Sequence, residues 1–436
     1  IITIATTLEV TPEVTTLAGS GRSGNSDGTG SEASFRDPIH LAVDFRGNIF
    51  VSDKDNRLIR KVTSTGVVTR LAGRTQISGS EESLDGTGTS AAFQAPWGIT
   101  ADGVGNVYVV DKSDRSIRKI TSTGMVSTLV TSESLDWPGG LGIDDSGNLY
   151  LSDNQRIKKI TSAGIVTTLA GSTSQGSSDG TGTSSSFKNP ESIAVDGSGN
   201  LYVADRENSN IRKVTPAGVV TTLDVSESVG EIYGIAIDAI GNLYVPDFIK
   251  HRILKVTSAG VVTTLAGGRE CACSYGSDNG TGSEATFKNP KGIAVDGKGN
   301  VYVGDSSNNL IRKITTTLPS GSVTNNSVLP LIFTISKPTT DFTVGDITIA
   351  NGTLSNFTAI SARAYTATLT PSASGDVTID VAPDKFTDAA GIKNTAADQF
   401  SWTYDDIGPT VSSISSSNNN GTYKIGDLIT VTVIWN

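Results

Sequence analysis

Short apolar runs alternate with turns rich in Gly, Asp and Asn from the start of the chain to about Thr315, without the 3.6-residue periodicity of amphipathic helices. The pattern is clearest over residues 189–223, NPESIAVDGSGNLYVADRENSNIRKVTPAGVVTTL. The runs begin at Ile193, Leu201, Ile211 and Val219, and turns such as 196–200 and 215–218 bound them. Such runs, rich in Val, Ile, Tyr and Thr and closed by turn formers, predict β-strands. The unit is therefore a four-stranded antiparallel meander. Six copies align on the Asp that ends the second strand: Asp53, Asp111, Asp153, Asp205, Asp247 and Asp305, spaced 58, 42, 52, 42 and 58 residues apart. A minimal period of this size holds one propeller blade. The sixth copy has its third strand at 310–314 and no fourth, while a spare strand, EVTTLAG at 13–19, precedes the first copy. An open array has no reason for this mismatch. A ring does, because the N-terminal strand completes the last blade and removes two exposed sheet edges. The expected fold is all-β, a six-bladed β-propeller over 13–315 closed by its N-terminal strand. Residues 1–12 are left as an extension, in which 1–8 read as a strand with no partner in the propeller.

Gly292-Ile293-Ala294-Val295-Asp296, Gly299-Asn300-Val301-Tyr302-Val303 and Asn309-Leu310-Ile311-Arg312-Lys313 resemble NHL repeats, a β-propeller family, and the likeness recurs six times between about residues 13 and 314. It bears on fold, since propellers host many unrelated activities. Past a short linker at 318–321 the pattern changes. Residues 322–406 carry alternating strands such as 331–335, 364–369, 377–381 and 400–404, the size of an Ig-like β-sandwich. Phe342-Thr343-Val344-Gly345-Asp346-Ile347, Asn351-Gly352-Thr353 and Thr387-Asp388-Ala389-Ala390-Gly391 resemble the bacterial Ig-like repeats of surface adhesins. Lys337 stands where those repeats usually carry an acidic residue, which argues against calcium there. Residues 409–436 read as the incomplete start of a further repeat. Continuation in a longer chain accounts for it. Self-association, with the N-terminal strand of one subunit pairing with the open C-terminal sheet of another, is the alternative.

A net charge of −10 over 436 residues supplies no basic stripe for nucleic acid. The Arg-Lys pairs, such as Arg60-Lys61, Arg118-Lys119 and Arg212-Lys213, recur once per blade and read as solvated charge on outer strands. No run of about 18 apolar residues is present, so membrane insertion is not expected. Cys271 and Cys273 share one inserted loop and cannot staple the fold.

Four long connections enter blades and carry Asp27-Gly28-Thr29-Gly30, Asp85-Gly86-Thr87-Gly88, Asp179-Gly180-Thr181-Gly182 and Asp278-Asn279-Gly280-Thr281-Gly282. Phe35, Phe93, Phe187 and Phe287 follow them and are expected to pin each loop to the ring. Asp-Gly is a turn former. Ca²⁺ is the one cofactor these carboxylates suggest, but it would need several oxygen ligands in one span and each phrase offers one Asp, so no metal site is assigned. Antiparallel order puts these loops on the face that also carries 54–56, 206–210 and 248–251, opposite a face of tight turns. A rigid scaffold with one elaborated face binds there. At the opening of the innermost strands stand Ile39, Trp97, Gly139, Glu191, Tyr233 and Lys291. Of these, Ile39, Trp97, Glu191, Tyr233 and Lys291 are the candidate ligand-binding residues of the ring mouth. The only histidines, His40 and His251, occupy non-equivalent positions and read as surface or rim residues, so no catalytic cluster is expected and the chain is not read as an enzyme. The expected role is a secreted or cell-surface recognition or adhesion protein whose propeller presents a face to a protein or glycan. A structural fibre or coat subunit is the second reading, and an enzyme acting at the mouth the third.

Overall fold

The computed structural model describes residues 1–75, 83–223, 225, 229–268, 275–406, 411–416 and 431–435. Cys271 and Cys273 lie outside them, as do parts of the C-terminal repeat, of which Val411–Ser416 pairs with Val431–Trp435.

Six antiparallel sheets form the propeller. In the first blade Pro38–Val43 is innermost, followed outward by Ile49–Asp53, Leu58–Val62 and Val67–Gly73. Leu41, Ile49, Val51, Val62 and Val68 pack on Tyr302 and Ile311 of the sixth blade, so each interface between blades is a separate apolar layer. The ring closes as the strand count requires. Glu9–Ala18 lies against Leu310–Thr317, with Val14 opposite Ile314 and Thr15 opposite Lys313. Val14 and Ala18 are fully buried.

The long connections do more than turn. Gly28–Thr29, Gly86–Thr87, Gly180–Thr181 and Gly280–Thr281 each add a fifth, outermost strand to the blade they precede, giving five-stranded blades where the Gly-Thr phrase occurs and four-stranded blades elsewhere. The edge strand is thereby covered. Phe35, Phe93, Phe187 and Phe287 are fully buried beneath these loops.

The sandwich has one sheet ordered Ile2–Thr6, Leu329–Ile335, Ala364–Pro371, Gly352–Ser361 and another ordered Ser322–Thr324, Phe400–Tyr404, Gly375–Asp380, Thr348–Ala350. The first strand thus has a partner after all, and it is inside this chain. Ile2 faces Ile335, Thr6 faces Leu331, and Ile2 and Ile4 enter the core with Phe333, Leu369 and Trp402. Ile2 and Ile4 lie on the strand face that the sandwich core covers, and Ala5 and Thr6 are buried as well. Three residues later the same peptide enters the propeller, where Glu9 pairs with Thr317. One N-terminal segment therefore contributes a strand to each domain.

Candidate functional site

The face of tight turns is occupied by the sandwich. Each first turn of a blade is held by an Asp whose Oδ1 accepts the N–H groups two and four residues on, as Asp44 does from Arg46 and Asn48, and Asp196 from Ser198 and Asn200. The residue after that Asp meets the sandwich. Gly103, Gly197 and Gly297 allow close approach: a Cβ there would lie 2.5 Å from the Ser336 carbonyl, 3.0 Å from Ser361 and 2.6 Å from Thr334 Oγ1. Phe45 and Asp145, at the same turn position in blades one and three, receive Arg363. Its guanidinium lies 4.5 Å from the Phe45 ring centroid, pairs with Asp145, and donates from Nε to the Ile335 carbonyl at 3.1 Å. Burial lowers the Arg363 pKa to about 10. The Ser361–Ala364 turn thus stands over this end of the central channel.

The other face is free of the sandwich, and the mouth lies there. Trp97 Nε1 donates to Glu191 Oε1 at 2.5 Å. Lys112 Nζ sits 3.9 Å from the Trp97 ring centroid and 3.7 Å from Glu191 Oε1. Arg206 reaches Glu191 Oε2 at 3.5 Å and lies 4.9 Å from the centroid of Tyr233, which packs on Phe248. Across the opening, Asp37 takes Lys291 at 2.8 Å and Lys54 at 3.0 Å; these cations hold its pKa below the usual carboxylate value despite its burial. Four of the five candidate residues therefore join polar clusters at one opening. Ile39 does not. It is 1% exposed and offers no surface to a ligand. Glu191, 2% exposed, lies beneath its partners as an anchor.

Sequence reasoning put Lys54 and Arg206 on this face, within 54–56 and 206–210, without naming them as ligand-binding residues, and it missed Lys112, Asp37, Glu231 and the 59% exposed Trp137. The three cations share one signal: each directly follows the Asp that ends its second strand.

Two expectations about charge need correction. Arg60, Arg118, Arg212 and Arg312 are not solvated; all four are fully buried. Arg212 shows why. It bonds Asp205 at 3.0 Å, the Ser186 and Ser178 carbonyls, and Asp179 of the Gly-Thr phrase at 2.9 Å, over the Phe187 ring. Arg60 and Arg118 take Asp27 and Asp85 in the same way, and Arg312 takes Asn279. These loop side chains clamp the fifth strand to an arginine. His40 is also buried, 6% exposed on its inner strand, rather than at a surface. Desolvation, with Lys112 and Lys291 nearby, lowers its pKa to about 3. His251 is partly exposed and its Nδ1 accepts the Asn289 N–H at 3.1 Å.

Residues 175–327 match the model of the Teneurin NHL domain, and residues 309–404 match that of a bacterial Ig-like domain. The propeller is of the NHL type and the sandwich is a bacterial Ig-like domain. The two matches overlap where Leu310–Thr317 leaves the last blade of the NHL propeller. Human Teneurin-4 is 24% identical over 315 residues, covering 63% of this chain, and the chain spans only 10% of that relative's length. Among solved structures, a Bacteroides thetaiotaomicron protein of unknown function aligns with a TM-score of 0.56 at 20% identity, over 70% of this chain and 76% of its own. An auxiliary nutrient binding protein from the same organism aligns with a TM-score of 0.54 at 17% identity, over 71% and 77%. These likenesses show the propeller fold. Among the described residues no helix is long and apolar enough to cross a membrane.

Proposed function

We propose that the chain is a secreted or cell-surface recognition protein, in which the NHL propeller binds a protein or glycan at its mouth and long-loop face and the Ig-like domain serves as its base. The observation that carries this reading is the placement of the sandwich on the tight-turn face. That side of the channel is covered, and the face with the aromatic and charged mouth is left open. Rigid aromatics beside charged groups at a concave opening are the usual anchors of a binding surface. The nutrient-binding neighbour and the teneurin relative are compatible with such a role. The reading assigns no catalysis. The alternative of head-to-tail assembly loses its free strand, since Ile2–Thr6 is paired within the chain. The test is to screen the intact chain against protein and glycan arrays. Trp97→Ala and Tyr233→Ala are expected to weaken the partner found without unfolding the ring. Unchanged binding by both variants would place recognition elsewhere.

A further inference from the structure

Two cations at the mouth, Lys112 and Arg206, are paired more loosely than the buried arginines and than Lys54 and Lys291. Arg60, Arg118, Arg212 and Arg312 each meet a carboxylate or amide oxygen at 2.6–3.0 Å, and Lys54 and Lys291 meet Asp37 at 3.0 and 2.8 Å. Lys112 and Arg206 do not reach such distances. Lys112 lies 3.7 Å from Glu191; Arg206 lies 3.5 Å from Glu191, 3.4 Å from Glu207 and 3.6 Å from Glu231. Charge-assisted N–H···O bonds are normally about 2.7–2.9 Å long. Among the described residues Arg206 Nε has no hydrogen-bond partner, as is also true of the Nε of Arg60, Arg118, Arg212 and Arg312, and it faces Glu231 at 3.6 Å. One buried carboxylate, Glu191, is shared between the Trp97 indole and both cations, and its Oε1 is already committed to Trp97.

The two heads are nevertheless held in place. Lys112 rests on Trp97 and Arg206 on Tyr233. They bracket Glu191 from its two oxygens, Lys112 at Oε1 and Arg206 at Oε2. The long contacts, 3.4–3.7 Å to Glu191, Glu207 and Glu231, leave both heads able to close on a further carboxylate arriving from the open side. The Lys112 pKa is lowered, first by burial, with Arg206 and Lys54 adding repulsion against the pull of Glu191; an incoming anion relieves that repulsion. Beside them stands a platform. The ring centroid of the exposed Trp137 is 5.6 Å from Lys112 Nζ. An exposed indole next to a cation matches a rigid ring that carries an apolar C–H face and a carboxylate on the same unit. A carboxylate on a flexible peptide side chain needs no such platform.

We propose that Lys112, Arg206 and Trp137 form a subsite for a hexuronate residue of an acidic polysaccharide, the carboxylate lying between the two cations and the sugar face on the indole. This rests on the reading of the mouth as a recognition surface and names its ligand class.

The experiment is calorimetric titration of the intact chain with a galacturonate oligomer, its methyl ester and an oligoglutamate peptide. The galacturonate oligomer is expected to bind, more weakly as salt rises, and the neutral ester is not. Arg206→Gln and Lys112→Gln should each weaken binding about tenfold or more, the effect of losing a bond to a charged group. Trp137→Ala should weaken it too, and because this side chain is exposed the variant reports even if the other two fold poorly. Equal binding of the ester, preference for oligoglutamate, indifference to all three substitutions, or no binding of the galacturonate oligomer would each overturn the assignment. If another array ligand is lost in Trp97→Ala and Tyr233→Ala, the mouth still recognises something and only the uronate assignment falls. If no array ligand depends on the mouth, the recognition reading falls with it.

Discussion

Ile4→Ala tests the unexpected arrangement in which residue 4 completes a domain that otherwise lies beyond residue 318. Ile4 is 4% exposed and sits in the sandwich core with Phe333, Leu369 and Trp402. Truncating a buried Ile to Ala typically costs about 2–5 kcal/mol, combining lost transfer energy with the cavity left behind. The neighbouring Thr3 pairs with Thr334 and is only partly buried, so Thr3→Ala should fall within about 0.5 kcal/mol of the parent. For a domain of this size each kcal/mol moves the midpoint by about 4–8 °C. The Ile4→Ala sandwich transition should therefore fall by about 10 °C or more. The assay is a thermal melt of the two variants, with amide exchange of Leu331–Ile335 read alongside, because the N-terminal strand pairs with those residues. Faster exchange there in Ile4→Ala and not in Thr3→Ala is expected. Equal melting and equal protection in the two variants would refute the assignment of the N-terminal strand to the sandwich.

Deleting residues 1–20 removes a strand from each domain and opens the ring between the last and first blades; aggregation or a large loss of thermal stability should follow, read by light scattering and calorimetry. Arg212→Ala should cost about 3–5 kcal/mol in a denaturant titration, since it strands the buried Asp205 carboxylate, and Arg212→Lys should not restore the parent value because a lysine cannot span Asp205, Asp179 and two carbonyls. His40 adds a pH dependence. Its pKa is about 3 in the fold against an ordinary 6.5, so below pH 6.5 the unfolded chain takes up a proton that the fold excludes, and stability is lost as pH falls from 6.5 towards 3. By pH 5 this amounts to about 2 kcal/mol, and the pH 7 to pH 5 loss should shrink by that amount in His40→Phe.

Much of the fold was legible because a propeller writes the same four strands six times. The spare strand at 13–19 and the missing one after Ile314 announced the closure from sequence alone. What the repeat could not reveal was the partner of a segment outside it. Ile2 and Ile4 show the alternation of a half-buried strand, but the sheet they complete begins more than 300 residues later. Nor does local sequence separate a buried arginine from a solvated one. Arg212-Lys213 reads as surface charge until Asp205 and Asp179 are seen to converge on the arginine, while Lys213 alone points outward near Tyr202. At the mouth, position in the repeat put Trp97, Glu191, Tyr233 and Lys291 at one opening, as the structure does. It failed for Ile39, which is 1% exposed, and it did not single out the cations Lys112 and Arg206, which belong to the next loop of the blade.

The claim at the centre is that recognition takes place on the long-loop face while the Ig-like domain covers the other. Hydrogen–deuterium exchange of the intact chain, with and without the partner that the arrays identify, tests it most directly. Protection is expected in the segments around Asp37, Trp97, Lys112, Trp137, Arg206 and Tyr233, with the turns at Asp44, Asp144 and Asp238 and the sandwich unchanged. Protection confined to those turns or to the sandwich, with the mouth exchanging as before, would contradict it.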